Sequence, residues 1–317
     1  MFSFAKRQRE SGWLAVAVAD ERLYFAHVQR SPAAKPVLRH FFMEELGKAG
    51  AGDGLGPLLK DLARRRKLKS YRCTTVLGHG QYQLVQTEAP PVPESEMHDA
   101  LSWRIKDLVD LQSTAFSFDV LPIPEMSSSG RSRQVYLAVA DNRVLAPIVQ
   151  DFQSGSLQLE AIDLPEMAQR NIASLFETEN RGLAFLAFSR ESALLTFTYQ
   201  GELFAFRRID IGAEQFAQAS QERREQLGER VALEVQRSMD TIDRQFSSIS
   251  LSHMVTVLPP DTGLEAQFSN MLYLPFEAMA LGDQMDLTAF PELADVQMQR
   301  EALSVIGAAL RDEDNTE

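Results

Sequence analysis

The chain has 317 residues, of which 44% are hydrophobic and 24% charged, so it can bury a sizeable core and is expected to form two lobes. Its 32 basic and 44 acidic residues give a net charge of −12, which argues against a general nucleic-acid binder. Cys73 is the only cysteine, so no internal disulfide can form and a cytoplasmic location is expected. No stretch approaches the roughly 18 apolar residues that span a bilayer, so any membrane association is expected to be indirect.

The N-terminal region predicts an antiparallel meander followed by a helix and a further strand. Alternating or continuous apolar runs separated by turn residues are typical of strands, and apolar residues three and four apart are typical of a helix. The predicted strands are 13–20, 22–29 and 36–42; a Gly-rich connection (47–56) precedes a helix with Leu58, Leu59, Leu62 and Ala63 on one face, and 73–77 is the fourth strand.

The stretch 87–111 combines a clear start signal with an amphipathic helix. Three prolines (Pro90, Pro91, Pro93) keep the chain extended until about Glu94, after which a helix is predicted. Its core face carries Met97, Leu101, Ile105 and Leu108. Trp103 projects elsewhere, beside Asp99, Lys106, Asp107 and Asp110. It either packs under a neighbouring element, which is the more frequent case for a tryptophan, or offers an aromatic anchor to a partner.

Beyond this helix, the order of three strands, helix and strand occurs a second time. The first half continues with strands 116–124 and 134–140, a helix over 142–152, a strand at 157–163 and a helix over 164–176; the second half has strands 182–189, 193–200 and 202–210, a long helix over 213–246, a strand at 253–258 and a final helix over 301–310. A duplicated supersecondary unit predicts an α/β, two-lobed actin-like (ribonuclease-H-like) fold with an α+β insert. The predicted divisions are 1–81 and 156–180 for the first lobe, 82–155 for the inserted subdomain, 181–297 for the second lobe and 298–317 for the C-terminal helix and acidic tail.

Five passages together carry a family resemblance that covers nearly the whole chain. They are TEAPPVPESEMHDALSWRIKDLVDL (87–111), LQLEAIDLPEMAQRNI (157–172), GELFAFRRIDIG (201–212), ALEVQRSMDTIDRQF (232–246) and ALSVIGAALR (302–311). In this order and on a duplicated architecture, they resemble the PilM group of actin-like type IV pilus assembly proteins. The likeness is strongest to the branch that serves mannose-sensitive haemagglutinin (MSHA) pili.

The resemblance also shows where this chain departs from nucleotide-binding members of the actin-like superfamily. Those proteins use two phosphate hairpins with an Asp and small turn residues, because close approach to phosphate oxygens needs glycine and Mg²⁺ needs carboxylates. The first hairpin here has Ala17 and Ala19 at the expected Asp and Gly, and Asp20 and Glu21 in its turn would repel a triphosphate. The second, LAFLAFSRESALL (183–195), has no carboxylate before Glu191 and no turn glycine, and PPDTG (259–263) replaces the Gly-Gly segment. Loss of ATP use is therefore expected, and no nucleotide cofactor is predicted.

For partners, the resemblance implies the cytoplasmic N-terminal segment of a PilN-like (MshJ-type) single-span inner-membrane protein, held in a groove between the first lobe and its insert. Other pilus assembly proteins are expected as partners too, and a homodimer is left open. The candidate contact residues are Trp103, Asp99, Asp107 and Asp110, whose charges suit a basic peptide. Two alternatives stay open: an active ATPase of the same family, and the cytoplasmic L-type module of a type II secretion system.

No other chemistry stands out in the sequence. The five histidines are far apart, without the spacing of a zinc site, and Gly78-His79-Gly80 has no surrounding phosphate-loop pattern. We therefore predict neither catalytic nor metal-binding residues.

Overall fold

The computed structural model of the chain describes residues 10–19, 21–31, 34–47, 54–109, 115–124 and 133–312. Asp20, Asp110, most of the Gly-rich connection and the tail after Asp312 lie outside these ranges. The strands are β1 (Trp13–Ala19), β2 (Arg22–Ser31), β3 (Ala34–Glu45), β4 (Arg72–Val76), β5 (Gln83–Glu88), β6 (Phe116–Pro122), β7 (Gln134–Asp141), β8 (Gln158–Asp163), β9 (Gly182–Phe188), β10 (Ala193–Tyr199), β11 (Glu202–Ile209), β12 (Leu251–Val257) and β13 (Phe276–Ala278).

The helices alternate with these strands. They are α1 (Gly56–Arg65), α2 (Glu94–Ser102), α3 (Ile105–Leu108), α4 (Asn142–Ser154), α5 (Pro165–Ala173), α6 (Ala213–Gln218), α7 (Gln221–Gln245), α8 (Leu264–Met271), α9 (Leu281–Gln284) and α10 (Val296–Ala309), with 3₁₀ turns at Leu68–Ser70 and Pro291–Ala294. In the described residues, no helix is both long and apolar enough to cross a membrane.

Two five-stranded sheets repeat one topology. The first has the order β3-β2-β1-β4-β8 and the second the order β11-β10-β9-β12-β13. In each, the first three strands are antiparallel and the last two add in parallel. The predicted duplication is therefore confirmed, and the chain has the two-lobed actin-like fold.

Burial on both faces explains the continuous apolar runs of the central strands. Every residue of β9 is buried, which requires layers above and below the sheet rather than one solvated face. The long helix α7 covers one face with a stripe of residues three and four apart. Its buried stripe consists of Leu227, Val231, Val235, Met239 and Ile242.

The helices α5 and α10 lie between the lobes and join their cores. One hydrophobic cluster includes residues of both helices and of both five-stranded sheets, for example Tyr24 of β2 and Phe185 of β9. The two helices meet closely at Gly307, where an added Cβ would lie 2.1 Å from the carbonyl oxygen of Ala168. The Asn171 side chain donates to the carbonyl of Gly307 at 2.9 Å. The C-terminal helix thus completes the core rather than forming a separate element.

A three-stranded sheet, β5-β7-β6, interrupts the first lobe between β4 and β8. Helices α2 and α3 cover one of its faces through a cluster that includes Met97, Leu101 and Leu137. Helix α4 belongs elsewhere, because Phe152 on α4 packs in the same cluster as Leu59 on α1. The first lobe therefore resumes at α4, whereas the sequence prediction keeps residues up to 155 in the insert.

Two predicted helices are interrupted. The helix expected from Glu94 to Leu108 breaks at Trp103 and Arg104, next to Ser102, whose hydroxyl donates to the carbonyl of Asp99 and competes with the helical ladder. The helix expected over 213–246 breaks before Ser220, whose side chain accepts from the amide of Arg223 and begins α7 as an N-cap. In the first case the apolar period continues across the break, so periodicity alone does not reveal it. In the second case residues 220–226 are all polar, and the apolar stripe of α7 begins only at Leu227.

Candidate functional sites

A cleft of about 410 Å³ lies between the lobes, where the two hairpins β1–β2 and β9–β10 approach each other. The β1 side contributes the methyl groups of Ala17 and Ala19, and the opposite side contributes the turn Ser189–Ser192. These two hairpins correspond to the two phosphate hairpins of the nucleotide-binding proteins described above. The described part of the first hairpin offers alkyl groups to the cleft at the positions where a carboxylate and a glycine were expected.

The second hairpin is closed on itself and fixed to α6. The Ser189 hydroxyl accepts from the amide of Ser192 at 3.2 Å and donates to its carbonyl at 2.9 Å. Arg190 makes two contacts with Glu214 in the first turn of α6, at 2.9 and 3.1 Å, and this ion pair lowers the pKa of Glu214. The amide of Glu214 donates in turn to the carbonyl of Arg190. Both the turn amide of Ser192 and the guanidinium of Arg190 therefore have protein partners already.

A buried ion pair links the lobes at the edge of the cleft. Glu166, in the first turn of α5, is only 1% exposed and accepts from Arg208 of β11 at 2.6 Å. The Tyr82 hydroxyl also donates to Glu166, and Arg208 donates to that hydroxyl at 3.0 Å. Burial, reinforced by the adjacent carboxylate, raises the pKa of Tyr82 well above its ordinary value. We call these three residues the interlobe triad.

The remaining charges of the cleft are mostly negative. Glu21, Glu191 and Glu301 line it, together with Arg300, which makes no ion pair within the described structure. The Tyr24 hydroxyl donates to Glu301 at 2.7 Å, and burial together with this hydrogen bond raises the pKa of Tyr24 to about 12. Glu301 also lies 3.7 Å from Arg22, so in the described structure the cleft carboxylates without a salt bridge are Glu21 and Glu191, against the guanidinium of Arg300. This balance is unfavourable for a polyanion.

A second cavity, which we call the side groove, lies between the insert sheet and the lobes and has a volume of about 520 Å³. Strands β6 and β7 form one wall, and α4, β8 and α5 form the other. The apolar residues that line it include Leu77, Leu121, Ala138, Leu145, Ile162, Leu164 and Met167. A cavity of this size and composition can hold several residues of an extended peptide or a drug-sized ligand.

The charged groups at the polar end of the side groove are paired with each other. Asp163 is 4% exposed and lies 3.4 Å from Arg311, and burial raises the pKa of Asp163 while Arg311 acts against that shift. Arg170 donates to Glu202 at 2.9 Å. This end is therefore electrostatically neutral, and the apolar walls dominate the remainder.

The candidate contact residues from the sequence lie away from both cavities. Trp103 is 86% exposed, so the structure does not pack it under a described neighbour. Asp99 and Asp107 are exposed beside it on the α2–α3 segment, and Asp110 lies outside the described residues. This segment covers the face of the insert sheet opposite the side groove. The groove wall comes instead from β6 and β7, two strands that the sequence pattern predicts without indicating a role in binding.

No metal centre is evident in the described part of the chain, where no three His, Cys, Asp or Glu side chains converge. Cys73 is buried, and desolvation raises the pKa of its thiol to about 12, so the thiol is unreactive at neutral pH. His27 and His40 are cross-strand neighbours with ring centroids 5.7 Å apart, and His27 contacts the carbonyl of Ser11 at 2.8 Å.

Comparison with known proteins identifies relatives by structure only. No family model matches the chain, and no curated protein matches it. Among solved structures, it is similar to a PilM–PilN type IV pilus biogenesis complex, with 18% sequence identity and a TM-score of 0.73 over 95% of this chain and 98% of that chain. It is also similar to the cytoplasmic domain of EpsL, an inner membrane component of the type II secretion system of Vibrio cholerae, with 12% identity and a TM-score of 0.50 over 90% and 96% of the two chains. These likenesses show that the fold is shared.

Proposed function

We propose that this chain is a cytoplasmic scaffold of a type IV pilus assembly machine, with a role like that of MshI in MSHA pili. In this role it binds the cytoplasmic N-terminal segment of a PilN-like (MshJ-type) inner-membrane protein in the side groove and is thereby recruited to the membrane. It does not hydrolyse ATP. The side groove, a preformed and mostly apolar cavity beside the insert, is the observation that carries this proposal.

The shape and chemistry of the groove favour a peptide over a small metabolite. Its apolar walls come from both the insert and the first lobe, including Leu121 of β6, Leu145 of α4 and Met167 of α5. A membrane-anchored protein with a short cytoplasmic segment can offer such a peptide in extended form. The likeness to a solved PilM–PilN complex supports this choice of partner, since the protein of that structure shares the fold over nearly all of both chains.

The interlobe cleft supports a role without ATP. A triphosphate needs backbone amides and a cation to balance its charge, and this cleft offers an occupied turn amide and, in the described structure, two carboxylates without a salt bridge. Glu21 and Glu191 sit in the two hairpins themselves, where they would face the phosphates. The fold then serves as a rigid docking body, held closed by the interlobe triad.

Trp103 is proposed as a second contact for the membrane partner. Its exposure and its acidic neighbours Asp99 and Asp107, with Asp110 following closely in the sequence, suit a basic segment that extends beyond the peptide in the groove. Because the indole is solvated in the free protein, its removal affects binding rather than folding.

The experiment that tests the proposal compares two arginine substitutions on α4. Leu145 and Val144 are neighbours, both half-buried, but Leu145 lines the side groove and Val144 does not. We expect Leu145→Arg to weaken binding of the synthetic partner peptide at least about tenfold, because a guanidinium in the apolar wall must be desolvated when the peptide binds. Val144→Arg is the matched control and should bind like the wild type.

Three outcomes of this titration are informative. Weakened binding by Leu145→Arg alone supports the groove. Equal weakening by both variants points to a general effect on α4 and contradicts it. Wild-type protein that does not bind the peptide at all overturns the proposed partner.

A further inference from the structure

Among the strands that the structure describes, β6 is an edge of the insert sheet. It pairs there with β7 on one side only, in antiparallel register with Val120 opposite Leu137. The amide of Val120 donates to the Asp119 carboxylate at 2.8 Å, so it does not donate to β7. Because hydrogen-bonded and free pairs alternate along an antiparallel ladder, the backbone groups of Phe118 and Pro122 also point away from β7. Proline has no amide hydrogen, and its presence in β6 fits this orientation.

The side groove runs along β6. Five of the seven residues of this strand line the cavity, namely Ser117, Phe118, Asp119, Leu121 and Pro122. The amide and carbonyl of Phe118 and the carbonyl of Val120 are therefore available to a chain that lies in the groove.

Among the charged residues that the structure describes in the groove lining, Asp119 is the one that forms no salt bridge. The other carboxylates of the groove that the structure describes are each within salt-bridge distance of an arginine: Asp163 with Arg311, Glu202 with Arg170 and Asp312 with Arg30. Asp119 is exposed, and its described hydrogen bond goes to the neighbouring amide. A ligand that fills the groove therefore meets one uncompensated negative charge, placed at the strand edge.

We propose that the partner segment binds by β-augmentation, as a fourth strand on β6 with a lysine or arginine opposite Asp119. This inference rests on the proposed function and specifies how the same groove recognises its peptide. In the free protein, Asp119 covers the amide of Val120 and places a charge on the edge, which discourages pairing with other chains. An incoming strand takes over that amide, and the released carboxylate pairs with the basic side chain of the peptide.

Hydrogen exchange of the intact chain, with and without the saturating synthetic peptide, tests the strand pairing. We expect the amide of Phe118 to become protected at least about tenfold, because it changes from free to hydrogen-bonded. The amides of Ser117 and Asp119 already face β7 and should change far less. Saturation of the groove with no change at Phe118 would overturn the β-augmentation.

A charge-reversal pair tests the role of Asp119. Asp119→Lys should weaken peptide binding at least about tenfold, and replacing one basic residue of the peptide by glutamate should restore most of the loss. Glu88→Lys makes the same charge change on β5, the other edge strand, and should alter the Kd less than about twofold.

The outcomes separate this inference from the proposed function. If Leu145→Arg abolishes binding while Asp119→Lys and the exchange of Phe118 have no effect, the groove binds the peptide in another manner and the inference is wrong. If the wild type does not bind the peptide, the partner and the inference fail together. Equal effects of Asp119→Lys and Glu88→Lys on the Kd would show that Asp119 acts only through the overall charge of the protein. This result would contradict a specific pair between Asp119 and a basic residue of the peptide.

Discussion

Removing Arg208 should destabilise the protein strongly, because it leaves the buried carboxylate of Glu166 without its cation. Losing one partner of a buried ion pair costs about 3 to 5 kcal/mol. Glu166 is 1% exposed but keeps the hydroxyl of Tyr82, and the Arg208 side chain is 18% exposed, so water can enter its place. We therefore expect Arg208→Met to lower the free energy of unfolding by about 3 kcal/mol. The neighbouring Arg207 pairs with Glu234 at the surface, and Arg207→Met should cost less than about 1 kcal/mol.

Urea unfolding followed by tryptophan fluorescence measures both variants, since Trp13 is fully buried and reports on the first lobe. A double-mutant cycle with Glu166→Gln sharpens the test. The double variant carries no unpaired buried charge, so it should be more stable than the sum of the single effects predicts, by about 2 kcal/mol. A loss below about 1 kcal/mol for Arg208→Met, or strictly additive effects in the cycle, would refute the interlobe triad as a stabilising contact.

Three further predictions concern packing, pH and the exposed tryptophan. Gly307→Ala should lower the free energy of unfolding by about 1 to 3 kcal/mol, because its Cβ would collide with a backbone carbonyl of α5. Gly282→Ala, with open space around the residue, is the control and should be nearly neutral. Equal urea midpoints for the two variants would contradict this prediction. Burial lowers the pKa values of His27 and His40 below that of an unfolded histidine, so the unfolded chain binds more protons and stability should fall as pH drops below about 6.5. A variant with both histidines replaced by Gln should show a flatter pH profile of stability in thermal melts. An unchanged slope would contradict the role of these two histidines. Trp103→Ala should weaken binding of the membrane partner by about 1 to 3 kcal/mol and change the free energy of unfolding by less than about 0.5 kcal/mol. Denaturant melts and peptide titrations on one preparation measure the two effects. An unfolded variant, or a folded variant with unchanged affinity, would exclude Trp103 as an anchor.

Sequence periodicity could predict the helices and strands whose residues pack in one uniform way along the whole element. The run at β9 is apolar throughout because the strand is covered on both faces, and the stripe of α7 is regular because one helix face packs on one sheet. The repeated order of elements then indicates the duplicated fold. Where one helix meets two environments, as at Trp103, the apolar period persists although the helix stops, so the break could not be predicted.

The sites were harder to predict because their residues are distant in sequence. Tyr82, Glu166 and Arg208 form one contact although they are separated by 84, 42 and 126 positions, and nothing local distinguishes Glu166 from an ordinary first-turn glutamate. The groove wall at β6 is set by strand pairing in the insert sheet, which the pattern of residues 116–122 does not reveal by itself. The strongest sequence motif lies at 87–111, and the helices α2 and α3 of this stretch cover the opposite face of that sheet.

Calorimetric titration of the partner peptide into the intact chain, with and without Mg-ATP, separates a nucleotide-independent scaffold from an ATPase. We expect saturable one-to-one binding in the absence of nucleotide, with the same Kd when Mg-ATP is present, and no heat from Mg-ATP alone. Peptide binding that requires Mg-ATP, or tight binding of Mg-ATP to the free protein, would contradict a scaffold that works without nucleotide.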